Sequence, residues 1–457
     1  MNRKILMLFL LAPFVSGLGN ESILNNYVQQ GLKNNLALQQ KDFSLKQAQA
    51  GLNQAKGMFL PALSLEARYS RAGGGRQIEI PIRDLTEMMG QIFLPPGTPV
   101  NIPPQIQNVS EPFLREKEHE TKIRVVQPVF QPKILWNYQL QREMKEIEAA
   151  SKSVFVRTLV ADIKTAYFNY LKASQIVNLM DKTQDLLEEN VRVSQSLFEN
   201  DKVTKSIVYR AEAELHAFRQ QQAEAVKGKV MAGSYFNFLL NRELSDSIEV
   251  ASFELDQQSI LPNLSNAMQQ ALAKREELQQ LDALVQVMDK KVKLNQADFL
   301  PGVSAVVDYG YQGETYSFGK DDDYWMASLV ASWNLFNGFQ DKFKIDQSKL
   351  EKKQVALQYE ELQHRIRLQV QDAYQNLIVA IQQLDAAQAG QTSARQSFRM
   401  IDRQYREGMV SQIEYIDARN AKTQAEVNAI VSQYDYFIRK AEWEKIIADY
   451  PVLDHDQ

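Results

Sequence analysis

The chain has no cysteine among its 457 residues. Disulfides, thiolate-ligated zinc or iron–sulfur centres, a thiol nucleophile and a lipidated N-terminal cysteine are therefore excluded. Proline and glycine are scarce, at 14 and 19 residues, and no Pro-rich or Gly/Ser-rich linker separates compact blocks. That scarcity, beside abundant Gln, Ala, Lys and Glu, suits long helices. Basic charge is not in excess: the formal net charge is −4, and no nucleic-acid partner is expected. The four histidines, His119, His216, His364 and His455, form no ligand spacing. Gly73–Gly75 with Arg76 lacks the Walker spacing and its Lys-Ser/Thr. Asp321–Asp323 reads as a solvated acidic loop. No catalytic residue, cofactor or metal is expected, so the chain does not read as an enzyme.

Long apolar runs are missing too, except at the start. Arg3 and Lys4 precede an apolar run over Ile5–Val15, and Val15-Ser16-Gly17 offers small residues for cleavage. Residues 1–19 read as a signal peptide; the run is shorter than the ~20 residues of a spanning helix.

What is present is a duplication. Leu52–Tyr69 and Leu294–Tyr311 both begin Leu-Asn-Gln-Ala and reach Phe-Leu-Pro, at Phe59-Leu60-Pro61 and Phe299-Leu300-Pro301. A helix-compatible run stops at each proline and period-2 alternation begins, because proline disfavours helix in the residue before it. A second pair of matches keeps one offset of 207: Ala166-Tyr167-Phe168-Asn169 with Ala373-Tyr374-Gln375-Asn376, and Phe198–Thr204 with Tyr405–Ser411. Each half thus reads as helix, strand, loop, strand, long helix, tight turn, return helix. The first repeat spans 20–240, an equatorial connector 241–262, and the second repeat 263–457. Helix is expected over 22–56 with a break near Asn34-Asn35, over 139–198 and 204–240, then without interruption over 263–297, and again to Tyr405 and over 411–447. Asp201 and Gly408 mark the hairpin turns.

Strands are expected at about 62–72, 118–129, 303–311 and 324–335. In each, apolar residues alternate with polar ones: Leu63, Leu65, Ala67 and Tyr69 against Ser64, Glu66, Arg68 and Ser70; Thr121, Ile123 and Val125 against Glu120, Lys122 and Arg124. Tyr69, Tyr309, Tyr311, Trp325 and Trp333 lie near strand ends, where membrane-interface aromatics belong. A soluble sheet edge shows similar alternation, but so does a barrel strand facing lipid on one side and a wet lumen on the other. Four strands cannot close a barrel, and open edges are forbidden in lipid. The strands must be shared between chains: two copies make eight, three make twelve with room for a lumen. The long helices carry narrow seams, Ile366, Val370, Ala373, Leu377, Ala380, Leu384 and Ala387 in one, and Ile413, Ile416, Asn420, Thr423, Val427, Ile430, Tyr434, Phe437 and Ala441 in its return partner. Spacings of 3 and 4 give left-handed knobs-into-holes packing.

The double repeat, the Phe-Leu-Pro switches, the strand exit Asn334–Gly338 and the turn Tyr405-Arg-Glu-Gly-Met-Val-Ser-Gln-Ile-Glu-Tyr-Ile-Asp-Ala resemble the TolC-like outer-membrane efflux protein family, over essentially the whole chain after the leader. The resemblance implies a mainly α fold with a β-barrel portion: a homotrimer with a 12-stranded barrel in outer-membrane lipid and a long α-helical coiled-coil tunnel in the periplasm. It implies docking to a periplasmic adaptor (membrane fusion) protein and an inner-membrane pump of RND or ABC type, and passive export of small molecules or polypeptides, by efflux or type I secretion. It also implies a periplasmic gate, where Glu414 and Asp417 match two acidic positions and Tyr405 a tyrosine of the gate's hydrogen-bonding network. The family's basic partner falls on Val410 here, leaving Arg403 and Arg406 as the nearby bases, and Ile207 stands in the first hairpin where Glu414 stands in the second. The first outer loop, roughly Gly73–Lys117, is longer than the family's. Against this stands a secreted or periplasmic coiled-coil structural protein, which would not need paired strands behind proline switches.

Overall fold

The computed structural model describes residues 18–95, 97–251, 253, 263–407 and 409–450. The expected signal peptide, apart from its last two residues, lies outside them, as do the turn residue Gly408 and much of the 241–262 connector. Among the described residues no helix is long and apolar enough to cross a membrane. The chain divides into two compact units. One comprises residues 1–50, 142–288 and 350–457, the other 51–141 and 289–349.

The helical unit is built from long elements. Helices α1 (Leu18–Asn34) and α2 (Leu36–Gly57) meet at Asn35. Its Oδ1 accepts from Leu38 N at 3.0 Å and its Nδ2 donates to Leu239 O at 2.9 Å, so one buried side chain caps the new helix and holds the break. After α3 (Ile82–Phe93) in the other unit come α4 (Pro132–Glu199) and α5 (Lys205–Leu239), then α6 (Leu264–Lys274), α7 (Glu276–Gln296), α8 (Gln340–Arg406) and α9 (Gln412–Ile446). Helix α4 has 68 residues, ~100 Å at 1.5 Å per residue; it starts seven residues earlier than the periodicity indicates, with Pro132 at its first position, where a missing N–H costs nothing.

The uninterrupted helix expected over 263–297 is instead two. The break is Arg275, in extended conformation at φ −67°, ψ 121°. Its guanidinium donates to Glu277 Oε1 at 2.8 Å, while the buried Arg157 donates to Glu276 Oε2 at 2.8 Å. Arg157 and Glu277 pair at 2.5 Å as well. Burial works against the Glu277 charge, but the Arg275 hydrogen bond and the Arg157 and Arg275 charges outweigh it and hold the carboxyl down at about 2. The break falls 240 residues after Asn35, the offset that also separates Phe59 from Phe299.

Ile163, Tyr167, Leu171, Phe236, Leu240, Ile366 and Val370 are fully buried and centre this unit's core. Tyr167 donates to Glu249 O at 2.8 Å and accepts from Ala251 N at 3.1 Å, and Tyr27 accepts from Glu249 N at 2.9 Å. The connector's described part is therefore pinned by two phenols, as a buried hydroxyl requires. Burial pushes the Tyr167 phenol up to about 12. The 366–384 stripe of α8 is buried along its whole length.

The α9 stripe behaves differently. Tyr434, Phe437 and Ala441 are buried, but Ile413 is 54% exposed. Toward the hairpin end the face buried within one chain lies one residue back: Gln412, Tyr415, Arg419, Glu426 and Ala429. Ion pairs make that polar seam tenable: Arg419 with Glu214 of α5, and Arg395 of α8 with Glu426 at 2.7 Å.

In the second unit, β1 (Ala62–Arg71), β4 (Lys117–Phe130), β5 (Gly302–Gly313) and β6 (Asp323–Ser332) form one antiparallel sheet in the order β1-β4-β5-β6. A separate pair, β2 (Gln77–Ile80) with β3 (Val109–Pro112), brackets α3 within the long first loop. The fourth strand ends at Ser332 rather than 335, so Trp333 lies just past it, its indole Nε1 donating to Phe299 O at 3.0 Å. At both proline switches a short turn closes the helix before the strand: Leu60 N donates to Gly57 O at 3.0 Å, and Leu300 N to Ala297 O at 3.1 Å.

Candidate functional site

The sheet has two chemically distinct faces. Register places Leu65, Ile123, Tyr309 and Trp325 in one cross-strand row, and Leu63, Val125, Val307 and Ala327 in the next. Leu65, Trp325 and Leu329 are all more than 70% exposed. So large an apolar surface is unusual on a soluble protein. Trp325 and Trp333 stand eight residues apart, ~27 Å along a strand, with Leu329 midway. Tyr309 and Tyr311 contact edge to face at 6.3 Å, and Tyr311 meets Phe318 at 5.3 Å. The 314–319 segment folds back here: Tyr316 stacks on the buried His119 at 4.5 Å and shares a hydrogen bond with Thr121 at 2.9 Å.

The opposite face is an ionic ladder. Arg124 grips Asp308 with two hydrogen bonds of 2.8 Å and lies 3.4 Å from Glu66. Glu120 accepts from Lys122 at 2.8 Å and from Tyr324 at 2.7 Å, with Arg68 at 3.5 Å. Three cations meet three carboxylates, so the ladder is neutral while its groups stay hydrogen-bonded. Gly310 leaves it room: a Cβ there would lie 2.4 Å from Thr121 O and 2.6 Å from Lys122 Cβ. Both outer strands, β1 and β6, have one unpaired edge in this chain.

Asp298 joins the strand entry to the helices. It pairs with Lys133 of α4 and, at 3.3 Å, with Lys344 of α8. Burial opposes its charge, but the two ammonium groups hold the carboxyl below its ordinary range.

The second surface is the pair of hairpin ends in the helical unit. In the first, Asp201 adopts φ 58°, and Lys202 N donates to Leu197 O at 2.9 Å, the 6→1 closure of a Schellman turn. In the second, Met409 N donates to Gln404 O at 2.8 Å, the same closure. Ser411 and Glu414 form a capping box: Ser411 Oγ accepts from Glu414 N at 3.3 Å, and Glu414 Oε2 accepts from Ser411 N at 3.2 Å. The first hairpin cannot repeat this, because Ile207 occupies the third position and Thr204 makes no cap hydrogen bond.

Glu414 and Asp417 are both exposed, three residues apart on one face of α9. Tyr405 does not join them. It stacks on Tyr415 with centroids 4.6 Å apart, half-buried beside Ser194. Burial pushes its phenol up, against the effect of the Ser194 hydroxyl. Arg406 bonds Asp402 at 3.1 Å rather than Glu414 or Asp417. Arg419 and Glu214 are side chains that the sequence reading missed. Arg419, 2% exposed, ties α9 to α5, and Gln412 Nε2 donates to Ile207 O at 3.5 Å beside it. The signal was present in the 3–4 spacing of 412, 415, 419 and 426, but it is hidden by the more apolar stripe one residue ahead.

Comparison with known proteins places this geometry. Residues 267–447 match the family described as outer membrane efflux protein. A probable efflux pump outer membrane protein, TtgC of Pseudomonas putida, is 21% identical over 277 residues, covering 60% of this chain and 56% of that protein's length. The Campylobacter jejuni CmeC outer membrane channel superposes with a TM-score of 0.76 at 17% identity, covering 93% of this chain and 85% of that one. The outer membrane protein VceC of Vibrio cholerae gives 0.74 at 14% identity, with 93% and 96% covered. The fold is that of these outer membrane proteins.

Proposed function

We propose that this chain is a member of the TolC-like outer membrane efflux protein family and the outer-membrane exit duct of a tripartite export system. The observation that carries the reading is the sheet. One face is apolar with aromatics toward its ends, the other is a neutral ionic ladder, and both edges are open. Such a sheet is stable in lipid only when closed by copies of itself, apolar face outward and ladder inward. Three copies supply twelve strands and a wet lumen. The helical unit then contributes the periplasmic tunnel, α8 and α9 using their remaining seams against neighbouring chains; the exposed Ile413 is of that kind. The duct performs no chemistry. An adaptor protein and an inner-membrane pump of RND or ABC type complete the system, and the description of TtgC as an efflux pump protein favours efflux over type I secretion.

At the periplasmic end, Glu414 and Asp417 of three chains place six carboxylates around one axis, a ring that attracts cations, with the Arg419–Glu214 pair of each chain tying α9 to α5 behind it. The test is conductance. Protein purified from outer membranes in detergent forms discrete channels in planar bilayers, and divalent cations on the periplasmic side reduce their current. A chain that stays soluble without detergent and conducts nothing is the coiled-coil structural protein instead.

A further inference from the structure

We propose that the two open edges of the sheet meet between chains in one fixed register, β6 of one copy against β1 of the next, with Leu329 opposite Tyr69 and Ser328 opposite Ser70. This rests on the three-chain barrel of the preceding section and adds the pairing that closes it. The register is read from the duplication. Phe59 and Phe299 are repeat mates 240 residues apart, and so are Leu65 and Ala305. Leu65 lies opposite Ile123, and Ala305 opposite Leu329. Ile123 and Leu329 are therefore mates as well, 206 apart. Every pair within the two repeats keeps both offsets: Ala62 with Val126 answers to Gly302 with Ser332, and Tyr69 with His119 to Tyr309 with Trp325. Two side chains show it independently. Gln127 Nε2 donates to Phe59 O and Trp333 Nε1 to Phe299 O, each at 3.0 Å, and these donors are also 206 apart.

Within one chain the repeats join through β4 and β5, with Ile123 opposite Tyr309, Lys122 opposite Gly310 and Val125 opposite Val307. The mate of β4 is β6 and the mate of β5 is β1, the two strands that carry the free edges. Replacing each residue by its mate gives the junction between chains: Leu329 with Tyr69, Ser328 with Ser70, Ala331 with Ala67. The faces agree. Leu329 and Tyr69 are 72% and 60% exposed on the apolar side, while Ser328 and Ser70 lie on the ladder side. A slip of one residue would set apolar positions against ladder positions along the whole seam, so the competing registers lie two residues away. Charge is not duplicated. Arg124 and Asp308, which pair across the junction within the chain, have Val330 and Arg68 as mates. Arg68 keeps Glu120 of its own chain at 3.5 Å. The seam between chains therefore closes on backbone hydrogen bonds and the apolar row, without an ion pair.

The absence of cysteine makes the register directly readable. Opposite Cα atoms of an antiparallel pair are ~4.5–5.5 Å apart, within disulfide reach, and residues two positions out of register are beyond it. Within one chain Ser70 and Ser328 stand three strand spacings apart, ~14 Å, so a disulfide between them joins two chains. The matched pairs Ser70→Cys/Ser328→Cys and Ala67→Cys/Ala331→Cys are made in the full chain. They sample both the hydrogen-bonded and the non-hydrogen-bonded kind of pair, which alternate along a ladder. Ser70→Cys/Met326→Cys and Ser70→Cys/Val330→Cys are the out-of-register controls. Each protein is extracted from outer membranes in detergent, its stoichiometry is measured by native mass spectrometry, and it is oxidised with copper phenanthroline and run on a non-reducing gel. The better matched pair gives covalent dimers and trimers several-fold more abundant than either control. A trimeric protein in which a control crosslinks as strongly as the better matched pair, or in which neither matched pair exceeds the controls, overturns the register alone. A protein that is not trimeric overturns the barrel and the register with it.

Discussion

Leu329→Arg tests the inside–outside assignment most sharply. Leu329 lies midway between Trp325 and Trp333 on β6 and is 72% exposed on the apolar face. If the two tryptophans stand at opposite membrane interfaces, Leu329 is at the bilayer midplane, where Arg costs ~2–4 kcal/mol. At ~1.4 kcal/mol per factor of ten, that is roughly a 30- to 1000-fold loss in the ratio of inserted to unfolded protein. Leu65 is as exposed, but it shares a row with Tyr309 and Trp325. Arg there is near an interface and costs ~1 kcal/mol or less. Ser328, next in sequence to Leu329, points to the ladder face, where Arg stays within ~0.5 kcal/mol, as for a wet site. The assay is urea-induced unfolding from lipid vesicles at fixed protein concentration, followed by tryptophan fluorescence, with outer-membrane yield measured in parallel. The expected order of cost is Leu329→Arg, then Leu65→Arg, then Ser328→Arg. Equal losses at positions 328 and 329, or a larger loss at 65 than at 329, would overturn the assignment of the apolar face to lipid.

At the proposed gate, Asp417→Asn removes charge without touching the capping box and reduces divalent block in planar bilayers, while Glu414→Ala also costs ~1 kcal/mol of helix stability. Replacing Glu360 and Glu361, mid-helix carboxylates, leaves the block unchanged. Arg419→Met strands Glu214 and costs up to ~3–5 kcal/mol in a fully buried setting, less here because the Glu214 side chain is 20% exposed; a double-mutant cycle with Glu214→Leu recovers much of the loss in thermal unfolding. Glu277, held at about 2, sits below its unfolded value of ~4.3, so its contribution is complete above that value and is lost as pH falls toward 2. Acid unfolding of Glu277→Gln therefore shows a shallower slope over that window than the parent protein; identical slopes contradict the assignment. Tyr167→Phe leaves Ala251 N without its acceptor and lowers stability by ~1–2 kcal/mol, measured by denaturant midpoint.

The strands and the proline switches were legible because their signal is local. Pro61 and Pro301 constrain the residue before them wherever they stand, and strict alternation has one explanation at ten residues' length. The break at Arg275 was not legible, because it depends on Arg157 of α4, which pairs with Glu276 and Glu277, and on Gln369 of α8, whose Oε1 accepts from Arg275 Nη1 at 2.5 Å; the fold brings both from other helices. Its twin at Asn35 was, since Asn beside Asn is itself a breaking signal. Along α9 the more apolar of two adjacent 3–4 stripes is the natural choice for the buried face. The choice fails toward the hairpin end, where the seam within one chain is closed by Arg419–Glu214 and Arg395–Glu426, and nothing in one helix's periodicity announces partners on two others. Glu414 was singled out for its charge, yet within one chain its visible work is the capping box with Ser411, a pattern readable from Ser-x-x-Glu alone. Tyr405 was expected in a hydrogen-bonding network with the gate; its aromatic partner Tyr415 belongs to the polar seam that was overlooked.

In the proposed duct, the four strands of each chain are completed by two further copies. Native mass spectrometry of protein extracted from outer membranes in mild detergent tests it directly. The expected result is a single species of three chains, with no stable monomer once the sheet edges are paired. A well-behaved monomer under those conditions, or a species that needs no detergent at all, contradicts it.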